Sequence, residues 1–194
     1  MDDRGKEKHF PKKYNLQWNE MLFFQSPDEV MGFKFSMMKE SFFPEFFDAS
    51  KLSSCQRIII DGDDHSGKSP LACKIANALG AKVISLDEYL CKPGCPYCDQ
   101  IDYESLQNDI LSSAQKIVIE GVCVLKVLAK INAQFDYHIF MKRILFGKPA
   151  YEEYLGELIP LPKSRMARDI VQYYREYKPF DRCHETQNLC IDND

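Results

Sequence analysis

Apolar and polar positions alternate along the chain in blocks of two lengths. Ile58-Ile59-Ile60 is a continuous β-branched run, which reads as a buried strand over 58–61. A polar, glycine-containing stretch follows. Then Leu71, Ile75, Ala78 and Leu79 recur at helical spacing, predicting a helix over about 67–79 that Gly80 ends as a C-cap would. Lys82-Val83-Ile84-Ser85-Leu86 reads as a second strand, delivering Asp87-Glu88-Tyr89 at its carboxyl end. Asp102 opens a helix carrying Leu106, Ile110 and Leu111. Lys116–Gly121 predicts a third strand ending in an acid, and Tyr137–Met141 a fourth. Residues 142–163 hold Gly147, Pro149, Gly156, Pro160 and Pro162 and read as an irregular, mobile lid. A helix from about Ser164 and a short strand over 188–192 complete the pattern. Strands alternating with helices predict an α/β fold with a mainly parallel sheet between helical layers. No internal repeat is evident.

The amino-terminal part differs. Residues 1–14 are charged and predicted to be a disordered tail. Residues 15–55 form an aromatic-rich extension: nine of the thirteen phenylalanines lie in the first 47 residues, with the one tryptophan at Trp18. Such a segment must pack on something. Ser26-Pro27-Asp28-Glu29 is a helix start, and a helix to about Phe43 would carry Val30, Phe33, Met37 and Met38 on one side before Pro44. The extension either seals the core or docks a partner, a second copy of the chain included. Residues 56–194 form the expected main domain, with its lid at about 142–168.

The polar stretch after the first strand is Gly62-Asp63-Asp64-His65-Ser66-Gly67-Lys68-Ser69, a G-x-x-x-x-G-K-S sequence between a strand and a helix. Glycines let the backbone curl so that successive amides face a phosphate, and the following helix aims its positive end at the same place. Lys68 would reach β- and γ-phosphates, and Ser69 would offer its hydroxyl to Mg²⁺. Asp63 and Asp64 place negative charge in a loop meant for anions. Pro70 is compatible with the helix's first turn. Acids at strand ends, Asp87 and Glu120, stand where open α/β sheets bind ligands, Glu120 suiting the second Mg²⁺ position directly or through water.

Composition narrows the classes. The 194 residues, 45% hydrophobic and 28% charged, suffice for one core with an extension. A net charge of −4 without a long basic run argues against a nucleic-acid coat. No apolar stretch approaches a bilayer span, and the polar start is unlike a secretory signal, so a cytoplasmic, reduced setting is expected. Among eight cysteines, Cys91, Cys95 and Cys98 give three thiolates at C-x₃-C-x₂-C spacing. They could hold a structural Zn²⁺ if Cys123, Cys183, His184 or Cys190 supplied a fourth ligand, or an iron–sulfur cluster, or stand as free thiols in a turn-rich loop. His138 reads as a core or interface histidine. Arg165 and Arg168 share a helix face, and such guanidinium groups suit a transferring phosphoryl group.

Residues 58–141, and more loosely 164–192, resemble the P-loop small-molecule kinases of the uridine kinase-like group, which includes nicotinamide riboside kinases. The likeness rests on the glycine loop, on Ser85-Leu86-Asp87-Glu88-Tyr89 after the second strand, and on Ile117-Val118-Ile119-Glu120-Gly121. Arg168-Asp169 is similar to the arginine–aspartate pair of that group's lid helix, and Tyr173–Pro179 to the helix after it. The resemblance implies a P-loop NTPase-type three-layer fold with a short lid. It implies ATP and Mg²⁺, with Lys68 and the amides of residues 62–70 on the phosphates and Ser69, Glu120 and Asp87 about the metal. Asp87 would be the general base on the acceptor hydroxyl, Arg168 with Arg165 would close over the phosphoryl group, and Tyr89 would line the acceptor pocket. Asp102 would grip ribose hydroxyls; its other role is a helix N-cap. The implied substrate is a small ribosylated metabolite such as uridine, cytidine or nicotinamide riboside. The group's longer acceptor loop, with an acid before histidine–proline, is replaced here by the cysteine loop. A nucleotide-binding scaffold on a degenerate kinase fold and a nucleoside monophosphate kinase are the other readings. No N-K-x-D motif points to a GTPase.

Overall fold

The computed structural model describes residues 48–145, 148–150, 152–155 and 161–191. The expected tail over 1–14 and nearly all of the aromatic extension, with its helix over 26–43, lie outside the described residues. So do 146–147, 151 and 156–160 of the expected lid.

Among the described residues six strands make one sheet. These are β1 (Arg57–Gly62), β2 (Lys82–Ser85), β3 (Ile117–Gly121), β4 (Tyr137–Leu145), β5 (Lys148–Pro149) and β6 (Glu185–Ile191). The order β2-β3-β1-β4 is parallel throughout, β6 adds in parallel to β4, and only β5 runs antiparallel. The helices are α1 (Lys68–Leu79), α2 (Tyr97–Gln100), α3 (Tyr103–Ser112), α4 (Val124–Lys130), α5 (Glu152–Leu155), α6 (Arg165–Tyr177) and α7 (Pro179–Arg182). Two 3₁₀ turns, Ala49–Leu52 and Leu86–Tyr89, precede β1 and follow β2.

Alternate residues of each central strand serve opposite layers, as the pleat requires. Ile58, Ile60, Val118, Ile139 and Met141 pack on Leu71, Ala72, Ile75 and Ala76 of α1. Ile59, Ile119 and Phe140 face Leu106 and Ile110 of α3, Val124, Val127 and Leu128 of α4, and Tyr173 and Tyr174 of α6. Strands buried on both faces explain the unbroken isoleucine run. The three-layer α/β fold with a mainly parallel sheet is therefore the fold of this chain.

Two strands exceed their expected lengths. β4 runs on through Lys142 and Arg143 to Leu145, and the short β5 and α5 lie in the stretch expected to be irregular. Its charged residues hide the continuation from an apolar pattern, whereas pairing with β6 from Ile139 to Leu145 supplies the backbone bonds that hold it. β6 likewise begins at Glu185, three residues before the expected strand. His138 is fully buried, as expected.

The strand order sends β1 over β3 to β2, and β3 over β1 to β4. The carboxyl ends of β1 and β3, adjacent in register from Arg57↔Ile117 to Asp61↔Gly121, thus flank the crevice where such sheets bind ligands.

Candidate functional site

The loop between β1 and α1 is built by its own residues. Gly62 has φ +151, and a Cβ there would lie 2.3 Å from the Met141 carbonyl oxygen, so β4 leaves room for glycine alone. His65 (φ 56) and Gly67 (φ 84) turn the chain through the left-handed region into α1. Gly67 caps α1 without a side-chain hydrogen bond. The first-turn amides of α1 therefore keep donors that the helix itself cannot use. Lys68 is buried, and its Nζ donates to the Asp63 carbonyl at 2.5 Å. The Ser66 hydroxyl is sealed from solvent and has no hydrogen-bond partner among the described residues. Pro70 sits in the first turn of α1.

Acids surround this loop. The exposed Asp64 pairs with His65, Oδ2 to Nδ1, at 2.9 Å. Asp61 at the end of β1 is fully buried, and burial pushes its carboxyl up to about 7 despite bonds from the Tyr173 hydroxyl and the Gly62 amide (2.8 Å). Asp63 is 2% exposed, and burial raises it to about 6, against the Tyr174 hydroxyl and the Arg143 charge, which favour its ionised form. Near neutral pH the two buried acids thus carry less negative charge than their number implies. Asp61, Tyr173, Tyr174 and Arg143 were not expected at this loop, because only folding brings β1, β4 and α6 together.

Across the crevice Glu120, 4% exposed, accepts a hydrogen bond from Ser69 Oγ at 3.2 Å. A hydroxyl and a carboxylate are hard oxygen donors that fit Mg²⁺, which takes few protein ligands and completes its shell with water and phosphate. Gly121, the next residue, gives the turn after β2 its place, since a Cβ there would stand 2.8 Å from Leu86 Cβ. That turn carries Asp87 just beyond Ser85, which pairs with Glu120. Asp87 Oδ1 accepts a hydrogen bond from the Tyr97 hydroxyl at 2.9 Å. Tyr97, almost fully buried, lies in the cysteine loop and was not singled out in the sequence. Its phenol is held far above the ordinary range by burial and by the Asp87 charge, so it stays a donor.

Lys68, Ser69, Glu120 and Asp87 therefore share the carboxyl edge of three adjacent strands. The other expected site residues make different contacts. Tyr89 donates to Asp109 Oδ2 at 2.5 Å, which turns its hydroxyl toward α3. Asp102 is the N-cap of α3, accepting from the Ser105 amide at 3.2 Å and the Ser105 hydroxyl at 2.7 Å. Arg165 is exposed at the start of α6. Arg168 is exposed and donates to the carbonyls of Pro162 (3.2 Å) and Lys163 (3.1 Å). Its neighbour Asp169 points inward, accepting from the Cys98 amide at 2.8 Å and from Lys126 Nζ at 2.6 Å. Burial works against its charge, but these two donors bring its carboxyl below the ordinary value.

Of the readings open for the cysteine loop, the structure gives free thiols. Among the described residues no three His, Cys, Asp or Glu side chains gather as a metal site, so Cys91, Cys95 and Cys98 do not form a Zn²⁺ centre. The Cys91 thiol donates to the Gln100 carbonyl at 3.1 Å, and Cys98 is turned into the core with Cys123. Spacing supplied three thiols, but the backbone sends them in different directions.

No helix among the described residues is long and apolar enough to cross a membrane. No protein-family profile and no curated protein sequence matches the chain. Several solved structures are similar in fold at low identity. A shikimate kinase from Acinetobacter baumannii in complex with shikimate is 14% identical, over 76% of this chain and 88% of that one, with a TM-score of 0.42. A possible uridine kinase from Bacillus stearothermophilus is 18% identical, over 67% and 86%, with a TM-score of 0.44. A thymidylate kinase from Candida albicans is 12% identical, over 71% and 85%, with a TM-score of 0.36.

Proposed function

We propose that the chain is an ATP- and Mg²⁺-dependent kinase that phosphorylates a hydroxyl of a small ribosylated metabolite, with uridine, cytidine or nicotinamide riboside as leading acceptors. The observation that carries this reading is the Ser69–Glu120 contact of 3.2 Å beside the buried Lys68, at the mouth of an uncapped helix. Lys68 and the α1 amides would hold the β- and γ-phosphates, and Ser69 and Glu120 would hold the metal. Mg²⁺, when bound, supplies charge to neutralise the polyphosphate. Asp87 would take the proton of the acceptor hydroxyl as its oxygen bonds to the γ-phosphorus and the bond to the β-γ bridging oxygen breaks. Tyr97 fixes the orientation of Asp87. Arg168 would close over the phosphoryl group only after leaving the Pro162 and Lys163 carbonyls. Catalysis of this kind is mostly positioning and charge stabilisation.

The deciding experiment measures ADP production from Mg-ATP with uridine, cytidine, nicotinamide riboside, pantothenate or no acceptor, for wild type and Asp87→Asn. Acceptor-dependent turnover that disappears in Asp87→Asn is expected. A second reading, a nucleotide-binding scaffold, is favoured by one feature, the acid Asp63 buried inside the phosphate loop. ATP binding with no turnover on any acceptor would select it.

A further inference from the structure

Strand β4 outruns its neighbour. Gly62, the last residue of β1, pairs with Met141, yet β4 continues to Leu145 and is flanked there by β5 and β6. Arg143 stands two residues past the end of β1. Pleat alternation puts it on the same side as Ile139 and Met141, the side on which the phosphate loop climbs into α1. It is 7% exposed, and its Nε is sealed from solvent with no hydrogen-bond partner among the described residues. Its charge acts on Asp63 in the loop. The Ser66 hydroxyl and both carboxylate oxygens of Asp63 are likewise sealed in this loop without a hydrogen-bond partner among the described residues. A guanidinium offers five donors in a planar fork suited to phosphate oxygens, and burying one with a donor unused is costly unless something arrives to accept it.

We propose that Arg143 is a phosphate-contacting residue of the nucleotide site, donating from strand β4 to the polyphosphate cradled by residues 62–69. This rests on the kinase reading only in requiring that a nucleoside polyphosphate binds the loop. Arg143 then complements Lys68, and its charge offsets that of Asp63, an acid out of place in a phosphate cradle.

The test is a double-variant cycle read by calorimetric titration of Mg-ATP, with thermal melting run beside it. Arg143→Ala is expected to weaken ATP binding about tenfold or more, the worth of a hydrogen bond to a charged group. Asp63→Asn alone removes a charge that opposes the polyphosphate and is expected to tighten ATP binding. In Asp63→Asn/Arg143→Ala the loss, measured against Asp63→Asn, should persist, because the donor is still missing. Affinity in the double variant equal to that of Asp63→Asn would show that Arg143 merely neutralises Asp63 and would overturn the proposal, as would unchanged affinity in Arg143→Ala. Should Arg143→Ala fail to fold, Arg143→Lys keeps the charge facing Asp63 but loses the fork. A loss of about fivefold or more supports the phosphate contact, and wild-type affinity overturns it. Wild-type protein that binds no ATP would sink the kinase reading itself and this proposal with it, whereas intact wild-type binding with an indifferent Arg143 sinks this proposal alone.

Discussion

The phosphate loop and the cysteine loop end up on the same edge of the sheet, yet they are built in opposite ways. Residues 62–69 are turned largely by their own residues: Gly62, His65 and Gly67 set the turns, and Lys68 bonds back to Asp63, five residues away, with Glu120 on Ser69 as a tie from afar. Residues 90–101 add ties from afar to bonds of their own, such as Gln100 Nε2 to the Cys95 carbonyl at 2.8 Å. Asp169, 71 residues on in the chain, takes the Cys98 amide, and Lys130 reaches the Cys98 carbonyl at 3.3 Å. An isolated bridge between Leu90 and Ile101 closes the base of this loop. A phosphate cradle must present one fixed geometry to a ligand common to many enzymes. On the proposed reading, the acceptor side would be shaped by whichever distant elements meet there. Local code thus suits the first task, and tertiary closure the second.

The sharpest way to break the local half is Lys68→Ala. Removing one preorganised electrostatic donor from a phosphoryl-transfer site is expected to lower the turnover rate about 100-fold. Initial-rate ADP measurements check this, and a variant that turns over like wild type would remove the phosphate loop from the chemistry.

Next in size is a pH effect that belongs to the same half. Burial lifts Asp61 to about 7, so the native state keeps its proton after the unfolded chain has lost it near the ordinary 3.8. Between those values the unfolded state binds fewer protons, and stability must fall as pH rises, by up to about 1.4 kcal/mol per pH unit. From pH 4.5 to 6 that amounts to about 2 kcal/mol. Asp61→Asn keeps an acceptor for the Tyr173 hydroxyl and the Gly62 amide while removing the titration. Urea unfolding at several pH values should then show a flatter dependence for the variant. An unchanged slope would mean that Asp61 is already ionised in the native state at low pH.

The distant half breaks at Asp169. Asp169→Asn weakens both the Lys126 pair and the tie to the Cys98 amide, at a cost of about 1.5 kcal/mol in stability. Its wider effect should fall on one side only: KM for the acceptor rises while ATP affinity, set by the local loop, stays put. Equal losses in both would show that the two halves are mechanically one.

The same division explains what could be read from the sequence. The β1–loop–α1 unit was legible because an isoleucine run, two glycines and a helical repeat sit side by side. Glu120 and Asp87 were legible as strand-end acids. Asp169 was seen only as the neighbour of Arg168; successive helix residues point about 100° apart, so one faces solvent and the other the core. The ends of β4 and β6 were hidden by Lys142, Arg143, Glu185 and Gln187, whose backbones pair although their side chains are polar or charged. The cysteines left several readings open because spacing counts thiols and says nothing of where each points. Tyr97 was invisible because an aromatic residue between Pro96 and Cys98 carries no periodic signal.

Tyr97 therefore offers the finest test of the comparison, with the smallest expected effect. Its hydroxyl is the only atom that Tyr97→Phe removes, and that hydroxyl holds Asp87 at 2.9 Å. The ring stays in the core cluster, so packing is nearly preserved. Losing this one hydrogen bond from the phenol is worth about 1 kcal/mol, or about fivefold in rate. If Tyr97 positions the base, kcat should fall by about that factor, with little change in ATP affinity or melting temperature. The deficit should vanish in an Asp87→Asn background, where there is no base left to orient. A drop that persists there would mean that Tyr97 acts on the acceptor directly. The cysteine loop would then be the wall of the acceptor pocket and not merely the support of its base.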